Sequence, residues 1–159
     1  MEAKSTDKKT FQLTDNGQKL GELHYKSLFS HKAQLKLSET ETYDITPVGF
    51  FGTSIAVTKN GTEIANLKMN WSGQIVIAFQ DGQEYVFKAK GAFLNKYTVE
   101  NKDGENLILL LPKFNWSKFN YSYNISYDKK PQDILFVLLS VYASNYFIAS
   151  MSGAIAGTA

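Results

Sequence analysis

Residues Ile134 to Ser152 read ILFVLLSVYASNYFIASMS, and this stretch decides how the rest of the chain must fold. No charged side chain occurs from Ile134 to the C-terminus, and apolar residues fall on every sector of a helical wheel. A helix of that kind has no stripe for water and must be buried all round, in protein or in lipid. At about 1.5 Å per residue it is roughly 30 Å long, which matches both a bilayer core and the diameter of a small domain. Length does not choose between them. Pro131 suits a first helical turn and Asp133 complements the positive end of the helix dipole, so a central helix is predicted over residues 131–152. Its expected core positions are Ile134, Leu135, Val137, Leu138, Val141, Asn145, Phe147 and Ile148. Gly153 is the expected helix stop, followed by a loosely specified tail over 154–159.

The residues ahead of this helix alternate with the period of strands. Phe11 to Leu13 and Leu20 to Tyr25 flank Asp15-Asn16-Gly17, and Phe50 to Val57 is separated from Ala65, Leu67 and Met69 by Lys59-Asn60-Gly61. Asn-Gly pairs of this kind favour two-residue hairpins. Ala33, Leu35 and Leu37 alternate with polar residues, and Thr42 to Thr46 forms an extended run that Pro47 is expected to end. Ile75 to Phe79, Tyr85 to Ala89 and Tyr97 to Glu100 continue the pattern, bounded by turns at Trp71-Ser72-Gly73 and Asp81-Gly82. Leu107 to Leu111 is apolar on both faces, which requires cover on both sides or a shorter strand. Tyr121, Tyr123, Ile125 and Tyr127 alternate strictly with Ser122, Asn124 and Ser126. Asn70-Trp71-Ser72 and Asn115-Trp116-Ser117 each follow a turn and a strand, a faint internal echo.

About a dozen short strands joined by tight turns resolve their edges most readily by closing into a barrel. A barrel of that size has a lumen wider than its own side chains fill. The apolar helix is the one available object of the right length, and the lumen satisfies its need for burial. The predicted fold is therefore mainly β with one helix, a closed antiparallel β-barrel of about 12 strands around a central hydrophobic C-terminal α-helix. Residues 1–10, MEAKSTDKKT, are expected to be a flexible segment, with one domain over 11–153.

Composition narrows the function. The 159 residues contain no cysteine, so thiol chemistry and disulfides are excluded. All 17 basic residues are lysines, which excludes guanidinium forks. The 15 acidic residues nearly cancel them, giving a net charge of +2 and no expectation of a strong field. Nucleic-acid binding is not expected, for want of both charge and recognition motif. The polar N-terminus lacks the apolar core of a secretory signal, and a cytoplasmic location is expected. His24 and His31 lack metal-pair spacing, and Glu39, Glu41 and Asp44 on one short stretch read as a wet strand face rather than a cation loop. No phosphate loop or nucleophile elbow occurs, so no catalytic residue, metal or cofactor is assigned.

The run Gly61 to Leu67, Tyr85 to Phe87, Tyr97 to Gly104, Tyr127-Asp128 and Asp133 to Leu139 resembles the tubby C-terminal-like superfamily, nearest its LURP-one-related and phospholipid-scramblase-like branches. The resemblance implies a closed barrel surrounding a hydrophobic C-terminal helix, as the strand count also suggests. Many members carry an acidic residue late in that helix, where this chain has Ser144-Asn145, so no role for such a carboxylate carries over. In the tubby branch lysine-containing surfaces contact phosphoinositide headgroups, which by resemblance makes Lys88, Lys90, Lys96, Lys113 and Lys118 the candidate anionic-lipid contacts here. The expectation is a non-enzymatic intracellular binding or scaffold domain, monomeric, contacting an anionic membrane lipid or a protein partner and peripheral where it meets a membrane. One alternative is a tail-anchored protein with 134–152 spanning the bilayer, Lys129 and Lys130 remaining cytoplasmic. The other is a small-ligand carrier or enzyme with a site in the barrel, against which a lumen filled by the helix would count.

Overall fold

The computed structural model describes residues 1–49 and 53–156, with side chains as far as Ser152. Twelve strands form a continuous meander: β1 (Glu2–Ser5), β2 (Thr10–Asp15), β3 (Gln18–Tyr25), β4 (Ala33–Lys36), β5 (Thr42–Val48), β6 (Ser54–Lys59), β7 (Thr62–Met69), β8 (Ile75–Phe79), β9 (Glu84–Lys90), β10 (Lys96–Glu100), β11 (Asn106–Asn115) and β12 (Asn120–Ser126). β1 pairs antiparallel with both β2 and β12, which closes the sheet into a barrel. The turn chemistry is as expected: Asn16 and Gly17, and again Asn60 and Gly61, take positive φ, and a register shift follows each turn. Positive φ at both positions gives the turn a twist that matches the flanking strands.

Three expectations about strands are corrected. Residues 2–5 are not a flexible segment but the closing strand, with Ala3 fully buried against the core and the Ile125 N–H donating to the Met1 carbonyl at 2.9 Å. Backbone pairing on both sides supplies the order that a single apolar side chain could not. β5 runs through Pro47 to Val48. Its pairing with β4 stops at Ile45, so Pro47 has a ladder partner only in Ile55 of β6, and the missing N–H is tolerated. β11 likewise continues through Pro112 to Asn115. The outer face of that strand is only partly covered: Leu107 and Leu109 share a groove with Thr98 and Tyr127, while Leu111 is exposed. Residues 50–52, at the start of the run expected over Phe50 to Val57, lie outside the described residues.

The helix α1 (Ile134–Ala156) occupies the lumen. It starts three residues later than proline placement suggested, because Asp133 is its cap: Asp133 Oδ1 accepts the Phe136 N–H at 3.3 Å and the Asp133 carbonyl accepts that of Val137. It does not stop at Gly153 but runs to Ala156; residues 157–159 lie outside the described residues. Every residue from Leu135 to Ser144 is buried, nearly three turns with no wet face. Leu135, Val137, Leu138, Val141 and Phe147 are core as expected, joined by Phe136, Leu139 and Tyr142, while Ile134, Asn145 and Ile148 are half-buried. The helix touches opposite walls of the barrel, with Leu138 against Gly21 of β3, and Phe136 and Phe147 against Tyr85 and Phe87 of β9. By length and hydropathy residues 134–152 also qualify to cross a membrane, but here the barrel wall takes the place of lipid.

Ser140 and Ser144 are buried without a polar partner in the wall, and they need none. Each hydroxyl donates to the carbonyl one turn back, Ser140 to Phe136 at 2.8 Å and Ser144 to Ser140 at 2.9 Å. The closest approach of helix and wall is at Gly21, where a Cβ would stand 2.9 Å from Leu138 Cδ1 and 3.3 Å from the Lys36 carbonyl oxygen. Gly21→Ala should therefore cost about 1–3 kcal/mol by overpacking, and Leu138→Ala about 2–5 kcal/mol by leaving a cavity. In the double variant most of the Gly21→Ala penalty should vanish, since the clash is with the atom removed; urea denaturation of the four proteins measures the coupling.

Candidate functional site

In an antiparallel meander the connections alternate between the two ends of the barrel. The proximal mouth, where α1 begins, holds the β2–β3, β4–β5, β6–β7, β8–β9 and β10–β11 turns and the β12–α1 linker. The distal mouth, where α1 leaves, holds the other connections. The large hydrophobic side chains left exposed are not scattered. Leu28 and Phe29 lie between β3 and β4, Trp71 between β7 and β8, Phe93 and Leu94 between β9 and β10, and Trp116 and Phe119 between β11 and β12. Val48 and Met151 border the same mouth. Among the described residues only Leu111, on the outer wall, departs from the pattern. Phe29 is 98 % exposed and Phe93 88 %. Their concentration at one end of the barrel is not the ordinary scatter of surface hydrophobics.

Charge is sorted along the same axis. The distal connections carry Lys8, Lys9, Lys26, Lys32 and Lys118, and Asp7 is their one carboxylate among the described residues. The proximal connections carry Glu39, Glu41, Asp81, Asp103, Glu105, Asp128 and Asp133 against Lys102, Lys129 and Lys130. The two ends are thus of opposite sign and cancel, and the net charge of +2 arises on the strands between them. The two echoed tripeptides meet at the basic end. Asn70 Oδ1 accepts the N–H groups of Ser72 and Gln74, both at 3.0 Å, and Asn115 Oδ1 accepts those of Ser117 at 3.1 Å and Lys118 at 3.3 Å. Each asparagine so fixes a tight turn whose next residue, Trp71 or Trp116, points into solvent.

The helix does not fill the distal mouth. Phe147 packs on Phe87 of β9 and Tyr97 of β10. On the opposite side a cavity of about 780 Å³ opens, walled by Phe11, Tyr25, Phe114, Tyr121, Ile148 and Ala149. Lys8, His31, Lys118 and Asn120 also line it, and Asn145 forms part of its wall. Asn145 Oδ1 accepts the Tyr123 hydroxyl at 2.6 Å and its Nδ2 donates to the Tyr25 oxygen at 3.1 Å. Burial raises the pKa of both phenols, so the chain Tyr123–Asn145–Tyr25 stays neutral and positions without titrating. Burial also lowers the pKa of His31, whose ring meets Tyr146 edge-on at 5.0 Å. A filled lumen, held to count against a carrier, is therefore not what the distal half shows.

The five lysines singled out from sequence are spread over β9, β10, β11 and the β11–β12 connection. Lys88, Lys90, Lys96 and Lys113 lie on β9, β10 and β11, with Lys90 and Lys96 paired where the ladder borders the distal β9–β10 connection, and Lys118 is in the β11–β12 connection, where its Nζ donates to the Ser5 carbonyl at 2.6 Å. Lys88 and Lys90 both pair with the buried carboxylate of Glu100, Lys90 at 2.7 Å. The sequence reading missed Lys8, Lys32 and the aromatic loop tips because ladder order, not spacing, brings them together. Glu39 and Glu41 are tied to Lys36 and to Tyr43 and Lys59, and Asp44 is within 3.4 Å of the Gln34 amide. His24 Nδ1 shares a 2.9 Å hydrogen bond with the Thr10 hydroxyl.

Asn145→Leu removes the acceptor of the buried Tyr123 hydroxyl and should cost about 1–3 kcal/mol, part of it recovered when Tyr123→Phe is added; chemical denaturation reads both. The ammonium groups of Lys88 and Lys90 hold the Glu100 carboxyl below the usual carboxylate range. A depressed folded pKa stabilises above the unfolded value, near 4.3, and that contribution is lost as pH falls through the folded pKa. Glu100→Gln should accordingly be less stable than the parent at pH 7 and lose less stability on acidification below about pH 4, measured by urea midpoints across that range.

The chain matches no protein-family model, no curated protein and no solved structure.

Proposed function

We propose that this protein is a non-enzymatic peripheral binding domain that docks its distal mouth onto anionic membrane surfaces. The observation that carries this reading is the coincidence, at one end of the barrel, of exposed aromatic tips and nearly uncompensated lysines. Aromatic rings sit well at the boundary between headgroups and acyl chains, and lysines at the same depth meet phosphate. Lysine near an anionic surface contributes about 1 kcal/mol each, so Lys8, Lys9, Lys26, Lys32 and Lys118 together steer and hold the domain. The acidic proximal mouth orients it, since only one end is attracted. The resemblance to the tubby-like superfamily supports the same class of ligand, although the residues at this mouth are mostly not the lysines that resemblance pointed to.

The two tryptophans of the chain both stand on the proposed face, so intrinsic fluorescence reports docking directly. Vesicles of phosphatidylcholine with phosphatidylglycerol should shift the emission to the blue and co-sediment the protein, with binding weakened by salt. Phosphatidylcholine alone should do so at least tenfold less well. Charge reversal at Lys8 and Lys32 should abolish the anionic preference. Failure to bind anionic vesicles even at low salt ends this reading in favour of a protein partner.

A further inference from the structure

The distal cavity lies within the face proposed to meet the membrane, and its lining is more specific than membrane docking requires. We propose that it holds one molecule of an anionic single-chain lipid with a hydroxyl-bearing headgroup, the chemistry of a lysophospholipid. The inference rests on the reading of the distal mouth as lipid-facing. Three features of the cavity select this ligand.

Size is the first. A volume of about 780 Å³ is in the usual range of roughly 300–1,000 Å³ for a small-molecule site. It accommodates one acyl chain and falls short of a two-chain phospholipid. Phe11, Phe114, Tyr121, Ile148 and Ala149 offer that chain an apolar bed between the helix and the wall.

Charge is the second. Lys8 and Lys118 both line the cavity, and none of the ion pairs among the described residues uses either of them. Lys118 spends one N–H on the Ser5 carbonyl, which anchors the ammonium and leaves its other donors for a phosphate. No carboxylate lines the cavity to oppose an anion.

The third feature is an acceptor without a donor. Asn120 Nδ2 donates to the Asp7 carbonyl at 3.1 Å, but Asn120 Oδ1 is shielded from solvent and has no hydrogen-bond partner among the described residues. A buried acceptor left unpaired is costly, and because Asn120 lines the cavity a turn of its amide would present Oδ1 to a headgroup hydroxyl, the donor it lacks. A simple fatty carboxylate brings the charge and the chain but no such donor at neutral pH, so the geometry favours the lysophospholipid.

The test uses the full chain and 1-oleoyl lysophosphatidic acid below its micelle-forming concentration, with oleate and inorganic phosphate as comparison probes. Calorimetry and native mass spectrometry should show one lysolipid per chain, oleate at least tenfold weaker and phosphate alone not retained. Ala149→Trp, which fills the apolar bed, should abolish binding, provided circular dichroism shows the barrel intact. Lys118→Met should weaken lysolipid about tenfold, as loss of one charge-assisted hydrogen bond predicts, and Asn120→Leu should erase the preference over oleate. No lysolipid binding by the parent protein overturns the inference. If that protein still docks on anionic vesicles the wider reading stands without it, and if it does neither, both fall. Binding that survives Ala149→Trp, Lys118→Met and Asn120→Leu alike overturns the assignment to this cavity.

Discussion

A helix with no tolerable wet face is the constraint on which the rest of this structure depends. Leu135 to Ser144 is buried on every side, and removing that surface from water at roughly 25 cal/mol per Å² is a driving force no amphipathic helix of the same length could match. The barrel satisfies it by surrounding those turns, and the helix in turn gives a wide barrel something to close upon. Neither element is self-sufficient. The polar groups of the enclosed helix turns fit this arrangement: Ser140 and Ser144 bond back to their own helix, and Asn145 is gripped by tyrosines from β3 and β12.

Enclosure has a geometric consequence for function. A helix that begins at one mouth and leaves by the other gives the barrel a direction, and the meander distributes successive connections between those two ends. Sequence positions far apart are thereby sorted into two communities. Phe29, Trp71, Phe93 and Trp116 share one end with Lys8 and Lys32, while Glu39, Asp81, Asp103 and Asp133 share the other. A near-neutral chain becomes an axial dipole with a greasy basic pole. The proximal pole also holds the helix start, where Asp133 complements the positive end of the helix dipole.

The distal mouth shows how packing at one side creates space at the other. Phe147 commits the last turns of the helix to Phe87 and Tyr97, and small residues such as Ala149 face the side that is vacated. The stacked rings of Tyr25 and Tyr142, with the Tyr142 hydroxyl bonded to the His31 carbonyl at 2.8 Å, form a firm boundary beneath the opening. The cavity is consequently bounded by the helix face that carries Asn145, Ile148 and Ala149.

Periodicity carried most of the fold. The alternation around Tyr123, the two Asn-Gly turns and the uninterrupted apolar run from Ile134 are local signals, and local signals survive in a sequence read alone. Glu2 to Ser5 was illegible because its order comes from two neighbours rather than from its own side chains. The strand passages through Pro47 and Pro112 depended on which side of each strand lacks a partner. For the candidate site the balance reverses. Lys118 was among the lysines the family resemblance pointed to, but Lys8, Asn120 and the aromatic tips are assembled from connections that only the closed ladder brings to one end. By itself the sequence determined that an all-apolar helix must be enclosed by a turn-rich β chain, because burial and period are local demands. Only the tertiary structure decided where charge, aromatic surface and empty volume coincide, because coincidence in space is set by strand order and by how the helix packs in the lumen.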